Sequence, residues 1–190
     1  MIATALRLLV WFTILTGAAY PAALTVIGRG LFAGRAAGSV IAIDGRPVGS
    51  ELLAQKFTEP KYFQPRPSTG ETPFATIPSA ASNAGPTSEA LRKAVDERAA
   101  ELQKRFNPAT GTELPSDMLT TSGSGLDPHI SPEAARLQIV SVAASRGFDA
   151  ARRQELRELV ESMIEPPQLG ILGEPRVNVL RLNLALDTMR

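Results

Sequence analysis

The chain has no cysteine and one histidine, His129. Without cysteine there is no disulfide, thiolate nucleophile or thiolate-bound metal. One imidazole cannot supply a His-based zinc centre, and the acidic residues do not cluster in the pattern a hard cation needs. Such a domain requires no oxidising compartment and is not harmed by one. An excess of one charge is missing too. The formal net charge is +1, and from residue 30 onward 18 basic residues face 19 acidic ones. A near-neutral surface argues against a nucleic-acid partner, because holding phosphates takes a basic face. No internal repeat is found.

What the chain does have is a long apolar run. Residues 8–28 carry no charge and are bounded by Arg7 and Arg29. A helix rises about 1.5 Å per residue, so this run spans roughly 30 Å, the thickness of a bilayer's hydrocarbon core. A cleaved signal peptide would use Arg7, an apolar core at residues 8–16, and Gly17-Ala18-Ala19 as the cleavage site. Apolarity continues beyond that point through Ala22, Ala23, Leu24, Val26 and Ile27, so a retained span is preferred. Within it Gly17 and Pro21 stand four apart, as do Ala18 and Ala22, a spacing that lets helices approach closely in lipid. Pro21 removes a backbone donor and is expected to disturb the helix. Lys/Arg counting alone would keep the domain in the cytoplasm, but long domains cross largely regardless of charge, so the residues leave orientation open.

The remainder, about 160 residues, is long enough for one domain with a real core. We read residues 1–29 as a transmembrane anchor, 30–38 as a linker and 39–190 as a soluble domain. Apolar runs on either side of Asp44-Gly45 suggest a β-hairpin, and residues 51–57 a short helix. Residues 59–86 hold Pro60, Pro65, Pro67, Pro73, Pro78 and Pro86. They form neither a long helix nor a central strand. Tyr62, Phe63 and Phe74 within them favour an ordered loop packed on the domain.

The pattern from Ser88 to Phe106 predicts a helix with Leu91, Val95, Leu102 and Phe106 inward and a solvated face of Arg92, Lys93, Asp96, Glu97 and Lys104. Residues 114–126 read as a loop. Ser131, Pro132 and Glu133 form a helix start, with a stop at Gly147. Asp149 caps a further helix with Leu156, Leu159, Val160 and Met163 inward. Residues 176–186 read as a strand, from the alternation of Leu180, Leu182, Leu184 and Leu186. The fold class expected is α+β: an N-terminal transmembrane helix and a small soluble domain of about three helices packed on a small sheet.

Two local chemistries can be weighed. Ser124 and His129 could serve a hydrolase as nucleophile and base, but triads are assembled by the fold rather than by local proximity. Gly123-Ser124-Gly125 ahead of a helix suggests a phosphate cradle, but a Walker lysine is missing and Pro128 intervenes. The structural reading is preferred: glycines permit positive φ and Asp127-Pro128 turns the chain.

Taken in order, several blocks resemble one family. They are Gly49-Ser50-Glu51-Leu52, Gln55 with Phe57, Tyr62-Phe63 with Arg66-Pro67-Ser68, Ser82-Asn83, residues 121–132, and Gly173-Glu174-Pro175-Arg176-Val177-Asn178-Val179-Leu180 with Leu182-Asn183-Leu184. With the anchor, they resemble the C subunit of the bacterial Kdp potassium-transporting ATPase over nearly the whole chain. The resemblance implies a non-catalytic accessory subunit of an ATP-driven K⁺ uptake pump. Its partners would be a channel-like A subunit, a P-type B subunit that hydrolyses ATP, the small F subunit, and membrane lipid. It implies a catalytic chaperone that raises the ATP affinity of the B subunit and stabilises the complex. It also implies a single pass through the inner membrane, a cytoplasmic amino terminus and a periplasmic or extracellular domain.

No catalytic residue, metal or cofactor is assigned to the chain itself, ATP entering through the B subunit. The candidate partner-contact residues are Gly17, Pro21, Ser82, Asn83, Ser122, Gly123, Ser124, Gly125, Asp127 and His129. Two departures stand out. The family's Ser-Gly-Gly-Ser-Asn is here Ser79-Ala80-Ala81-Ser82-Asn83, and its Gly before Gln55 is Ala54. Losing the paired glycines weakens direct nucleotide binding through that loop. The alternatives are a membrane-anchored extracytoplasmic hydrolase and a signal-peptide-bearing binding protein.

Overall fold

The computed structural model describes every residue except 70, 71, 78, 80, 109, 110 and 190. Pro78 of the Pro-rich loop and Ala80 of the 79–83 stretch thus lie outside the described residues. The chain divides into two compact units, Met1–Ser50 and Glu51–Arg190.

In the first unit, helix α1 runs Ile2–Leu31, long and apolar enough to cross a membrane. At 1.5 Å per residue it is about 45 Å long. All its side chains are exposed apart from a half-covered Gly28. At Leu15–Ala19 the helix widens into a π turn, and the Tyr20 N–H donates to the Leu15 carbonyl five residues back. Pro21 explains the widening. It has no N–H for the Gly17 carbonyl and its ring presses on that turn. The hydroxyls of Thr16 and Thr25 donate to the Phe12 and Pro21 carbonyls at 2.7 and 2.8 Å, so neither is left bare in lipid. Residues 30–38, read as a linker, include the end of α1 and a helical turn at Ala33–Ala36.

Strands β1 (Val40–Ile43) and β2 (Arg46–Ser50) then form the expected antiparallel hairpin, with a bulge between Ile41 and Ala42. Asp44 and Gly45 both take positive φ, 50° and 74°. This is the turn geometry whose twist matches the flanking strands.

The second unit is α+β. Helices α2 (Glu89–Phe106), α3 (Pro132–Ser145), α4 (Ala150–Ser162) and α5 (Val179–Thr188) surround a single core. The paired strands are β3 (His129–Ile130) and β4 (Val177–Asn178), two residues each and antiparallel. Helix α3 packs on α2 and α4, and α4 on α5. Its Ala134, Ala135, Gln138, Ile139 and Val142 are buried, a spacing of one, four and five that turns one face inward. Ser131 caps it, its Oγ accepting from the Ala134 N–H at 3.0 Å. Asp149 caps α4 by accepting from the Arg152 N–H at 2.8 Å. In α2, Leu102 and Phe106 are buried while Leu91 and Val95 are half-covered, and the charged face is exposed as expected.

Three expectations need correction. Residues 51–57 are not helical; they turn and then run on without regular secondary structure. Their backbone groups are taken elsewhere: the Glu51 carbonyl accepts from Asn178 Nδ2 at 2.7 Å and the Ala54 N–H donates to Leu126 at 2.9 Å. Residues 114–126 are not wholly loop, since Ser116–Leu119 makes one helical turn that buries Met118. Residues 176–186 are not a strand. Only Val177–Asn178 is extended, and α5 follows, with Val179, Leu180, Leu182, Asn183 and Leu186 buried. Asn178 accepts from the Arg181 N–H at 3.1 Å and so caps a helix at the point where alternation had suggested a strand.

The Pro-rich segment is ordered where its aromatics lie. Phe63 is fully buried. Its N–H donates to Asn183 Oδ1 at 2.8 Å, and its carbonyl accepts from Asn183 Nδ2 at 2.9 Å. One residue on, Gln138 treats Gln64 in the same way, at 2.7 and 3.1 Å. Two buried amides therefore satisfy this stretch of backbone as a neighbouring strand would.

Candidate functional site

The segment 121–130 connects the one-turn helix to β3. Its shape comes from within and from across the chain. Ser122 is buried, its carbonyl accepting from the Gly125 N–H at 3.2 Å and its Oγ from the Asp127 N–H at 3.4 Å. Ser124 Oγ accepts from the Leu126 N–H at 3.1 Å. Gly125 sits at φ 69°, a conformation that favours glycine. Beyond the turn, the Pro128 carbonyl accepts from the Val179 N–H at 3.0 Å, and His129–Ile130 pairs with Val177–Asn178.

Asp127 is the electrostatic centre. Its Oδ1 accepts from the His129 N–H at 3.0 Å and lies 3.3 Å from His129 Nδ1, while Arg66 Nη1 donates to its Oδ2 at 3.2 Å. Arg66 Nε is buried and takes no hydrogen-bond partner among the described residues. Burial pushes the Asp127 carboxyl up. The hydrogen bonds from His129, ring and backbone, and the Arg66 charge together outweigh it and hold the group below the ordinary carboxylate range. Asp117 ties the same region to α3, accepting from the Ser131 N–H at 2.7 Å and its hydroxyl at 3.0 Å. An open cleft of about 690 Å³ lies alongside, lined in part by Arg66, Asp117, Asp127, His129 and Arg176.

The Asp127 carboxyl binds its proton less tightly folded than unfolded. Its contribution to stability is therefore complete above the unfolded value, about 3.9, and disappears as the pH falls through the lower folded value. Acid unfolding followed by circular dichroism is expected to show this loss below about pH 4, with Asp127→Asn flattening that part of the profile. An unchanged profile would mean the carboxylate contributes nothing.

Of the residues singled out in the sequence, the structure brings Asp127 and His129 into contact and places Ser122 beneath them as a brace. Gly123 and Ser124 are exposed. No hydrogen bond joins Ser124 to His129 among the described residues, so the nucleophile and base of a hydrolase are not assembled. Ser82 and Asn83 are exposed on the 59–86 segment, Asn83 at φ 50°. Gly17 and Pro21 belong to α1. Arg66 and Asp117 were not foreseen as parts of this region. Arg66 had appeared only in the Arg66-Pro67-Ser68 block, and nothing local marks it as the partner of a carboxylate 61 residues away.

A bilayer-length apolar helix joined to a small α+β unit defines a membrane-anchored protein. The family model for the K⁺-transporting ATPase c chain, KdpC, matches residues 2–188. A potassium-transporting ATPase KdpC subunit from Rhodospirillum rubrum is 50% identical over 185 residues, covering 96% of this chain and 93% of the relative. Those from Polaromonas naphthalenivorans and Geobacter sulfurreducens are each 48% identical over 187 residues, covering 98% and 97% of this chain and 93% and 96% of theirs. The chain belongs to the KdpC family.

Proposed function

We propose that the chain is a non-catalytic accessory subunit of a high-affinity ATP-driven potassium pump, raising the ATP affinity of the P-type B subunit and stabilising the complex. The family match along nearly the full chain carries this reading. Its partners are the channel-like A subunit, the B subunit and the small F subunit. Helix α1 crosses the inner membrane once, with its amino terminus in the cytoplasm and the α+β unit outside. Gly17 and Pro21 lie on the part of α1 that meets neighbouring helices. The braced 122–129 segment and Ser82-Asn83 face the partner subunits. No metal or cofactor is bound by the chain itself, and ATP acts through the B subunit. An outside domain affects ATP affinity by stabilising one arrangement of the assembled pump rather than by touching nucleotide.

The test is reconstitution. Pump purified with the chain is expected to show a lower KM for ATP than pump stripped of it, and the tagged chain is expected to bring the large subunits with it. If the full-length chain fails to copurify with them, the reading is wrong. An unchanged KM with intact copurification would leave only the stabilising role.

A further inference from the structure

Positive charge is spread unevenly along this chain. Residues 29–50 hold three arginines, Arg29, Arg35 and Arg46, against one carboxylate, Asp44. Residues 51–190 reverse the balance, with 16 basic and 18 acidic residues. All three arginines are exposed, and none pairs with a carboxylate among the described residues. The same stretch exposes apolar side chains: Phe32, Val40, Ile43 and Val48 are 53, 52, 46 and 38% exposed. Ile43 stands opposite Arg46 across the ladder, so an aliphatic and a cationic side chain share one face beside the turn. Strands β1 and β2 pair only with each other among the described residues. A lone two-stranded hairpin is marginal in water and gains from a surface to lie on.

We infer that this hairpin lies on the bilayer that α1 crosses and binds acidic phospholipid there, an inference that rests on α1 being a retained span. The first support is reach. With residues 8–28 in the hydrocarbon core, Arg29 to Leu31 fall in the headgroup layer, which adds about 5–7 Å on each side. Residues 32–39, which join α1 to β1, are coiled rather than extended. The Ala36 and Ala37 N–H groups donate to the Phe32 and Ala33 carbonyls at 2.8 and 3.0 Å, and the Ser39 N–H to the Gly34 carbonyl at 2.9 Å. Ser50 Oγ donates to the Gly38 carbonyl at 2.7 Å and ties β2 back to this connection. The hairpin is therefore tethered close to the surface. The second support is charge. Attraction to acidic headgroups fades within about 8 Å at physiological ionic strength, and the arginine excess sits on the residues held nearest to them. A planar guanidinium matches a phosphate through two parallel hydrogen bonds, while aliphatic neighbours enter the boundary between headgroup and acyl chain. A soluble phosphate would meet the arginines but leave Val40 and Ile43 in water. Lipid satisfies both.

The experiment uses the full chain in vesicles. Because the chain has no cysteine, Ile43→Cys takes a nitroxide at a single position. In vesicles of phosphatidylglycerol and phosphatidylcholine in equal parts, the label is expected to be immobilised and shielded from a water-soluble nickel relaxant. In phosphatidylcholine alone it is expected to be mobile and accessible. Adding Arg35→Gln with Arg46→Gln in the acidic vesicles should shift the ratio of immobile to mobile label roughly tenfold or more toward mobile, each arginine near such a surface contributing about fivefold. An Ile43 label as accessible as a free aqueous nitroxide in acidic vesicles overturns the inference. Equal shielding in acidic and neutral vesicles, or no change on losing both arginines, overturns it too. A label at Val10→Cys, within α1, separates the two levels. If that label reads as buried in hydrocarbon while Ile43 reads as aqueous, only the hairpin contact fails; if it also reads as aqueous, the span falls and the inference with it.

Discussion

Asn183→Ala is expected to destabilise the α+β unit by about 2–6 kcal/mol, as each of two buried backbone groups left without a partner costs about 1–3 kcal/mol. Asn183 satisfies both the N–H and the carbonyl of Phe63, and all three groups are out of water. Alanine returns nothing to either. Phe63 is then held only by its packing, and the Pro-rich segment loosens on one side. Gln138→Ala is expected to act similarly through Gln64. The two amides grip consecutive residues of one segment, so the double variant should lose less than the sum of the singles. Urea unfolding of the detergent-solubilised chain, followed by helicity, measures this. Single variants within about 0.5 kcal/mol of the parent, the range of ordinary surface changes, would show that the amides do not hold the segment.

Ile14→Arg together with Ala18→Arg is expected to release the chain from membranes. The two positions lie four apart near the middle of α1, so neither arginine reaches an interface easily. Each costs about 2.5–3.5 kcal/mol at a helix centre, and the pair lowers partitioning by roughly 10⁴-fold. Alkaline carbonate extraction reads the result: the parent chain stays in the pellet and the variant moves to the supernatant. Retention of the variant would mean that something other than α1 anchors the chain. Mass spectrometry of the mature amino terminus is the companion measurement, since a product beginning near Tyr20 would make the helix a removed leader.

Much of this was readable from residue types, and the failures have physical causes. Ser131-Pro132-Glu133 and Asp149 each announced a helix because capping is a local hydrogen bond between neighbours in sequence. Asp44-Gly45 announced a hairpin because a turn's preference for positive φ is local too. The C-terminal helix was misread because leucines at 180, 182, 184 and 186 satisfy a period of two, while the buried residues 179, 182, 183 and 186, with 180 beside them, satisfy the helical period. In so short a segment the cap at Asn178 decides between them. The aromatics of the Pro-rich segment suggested that it packs on the domain, and Phe63 is buried there. The cause of that packing could not be read, since Asn183 lies 120 residues from Phe63. The 121–130 segment was legible only as a run of residues. The Arg66–Asp127 pair depends on the same long-range folding that residue spacing does not reveal.

The short β3–β4 pairing has an implication for biogenesis. The shape of residues 126–130 depends on Val177, Asn178 and Val179, which the ribosome makes well after them. A polypeptide interrupted before that point lacks the rung that braces the turn.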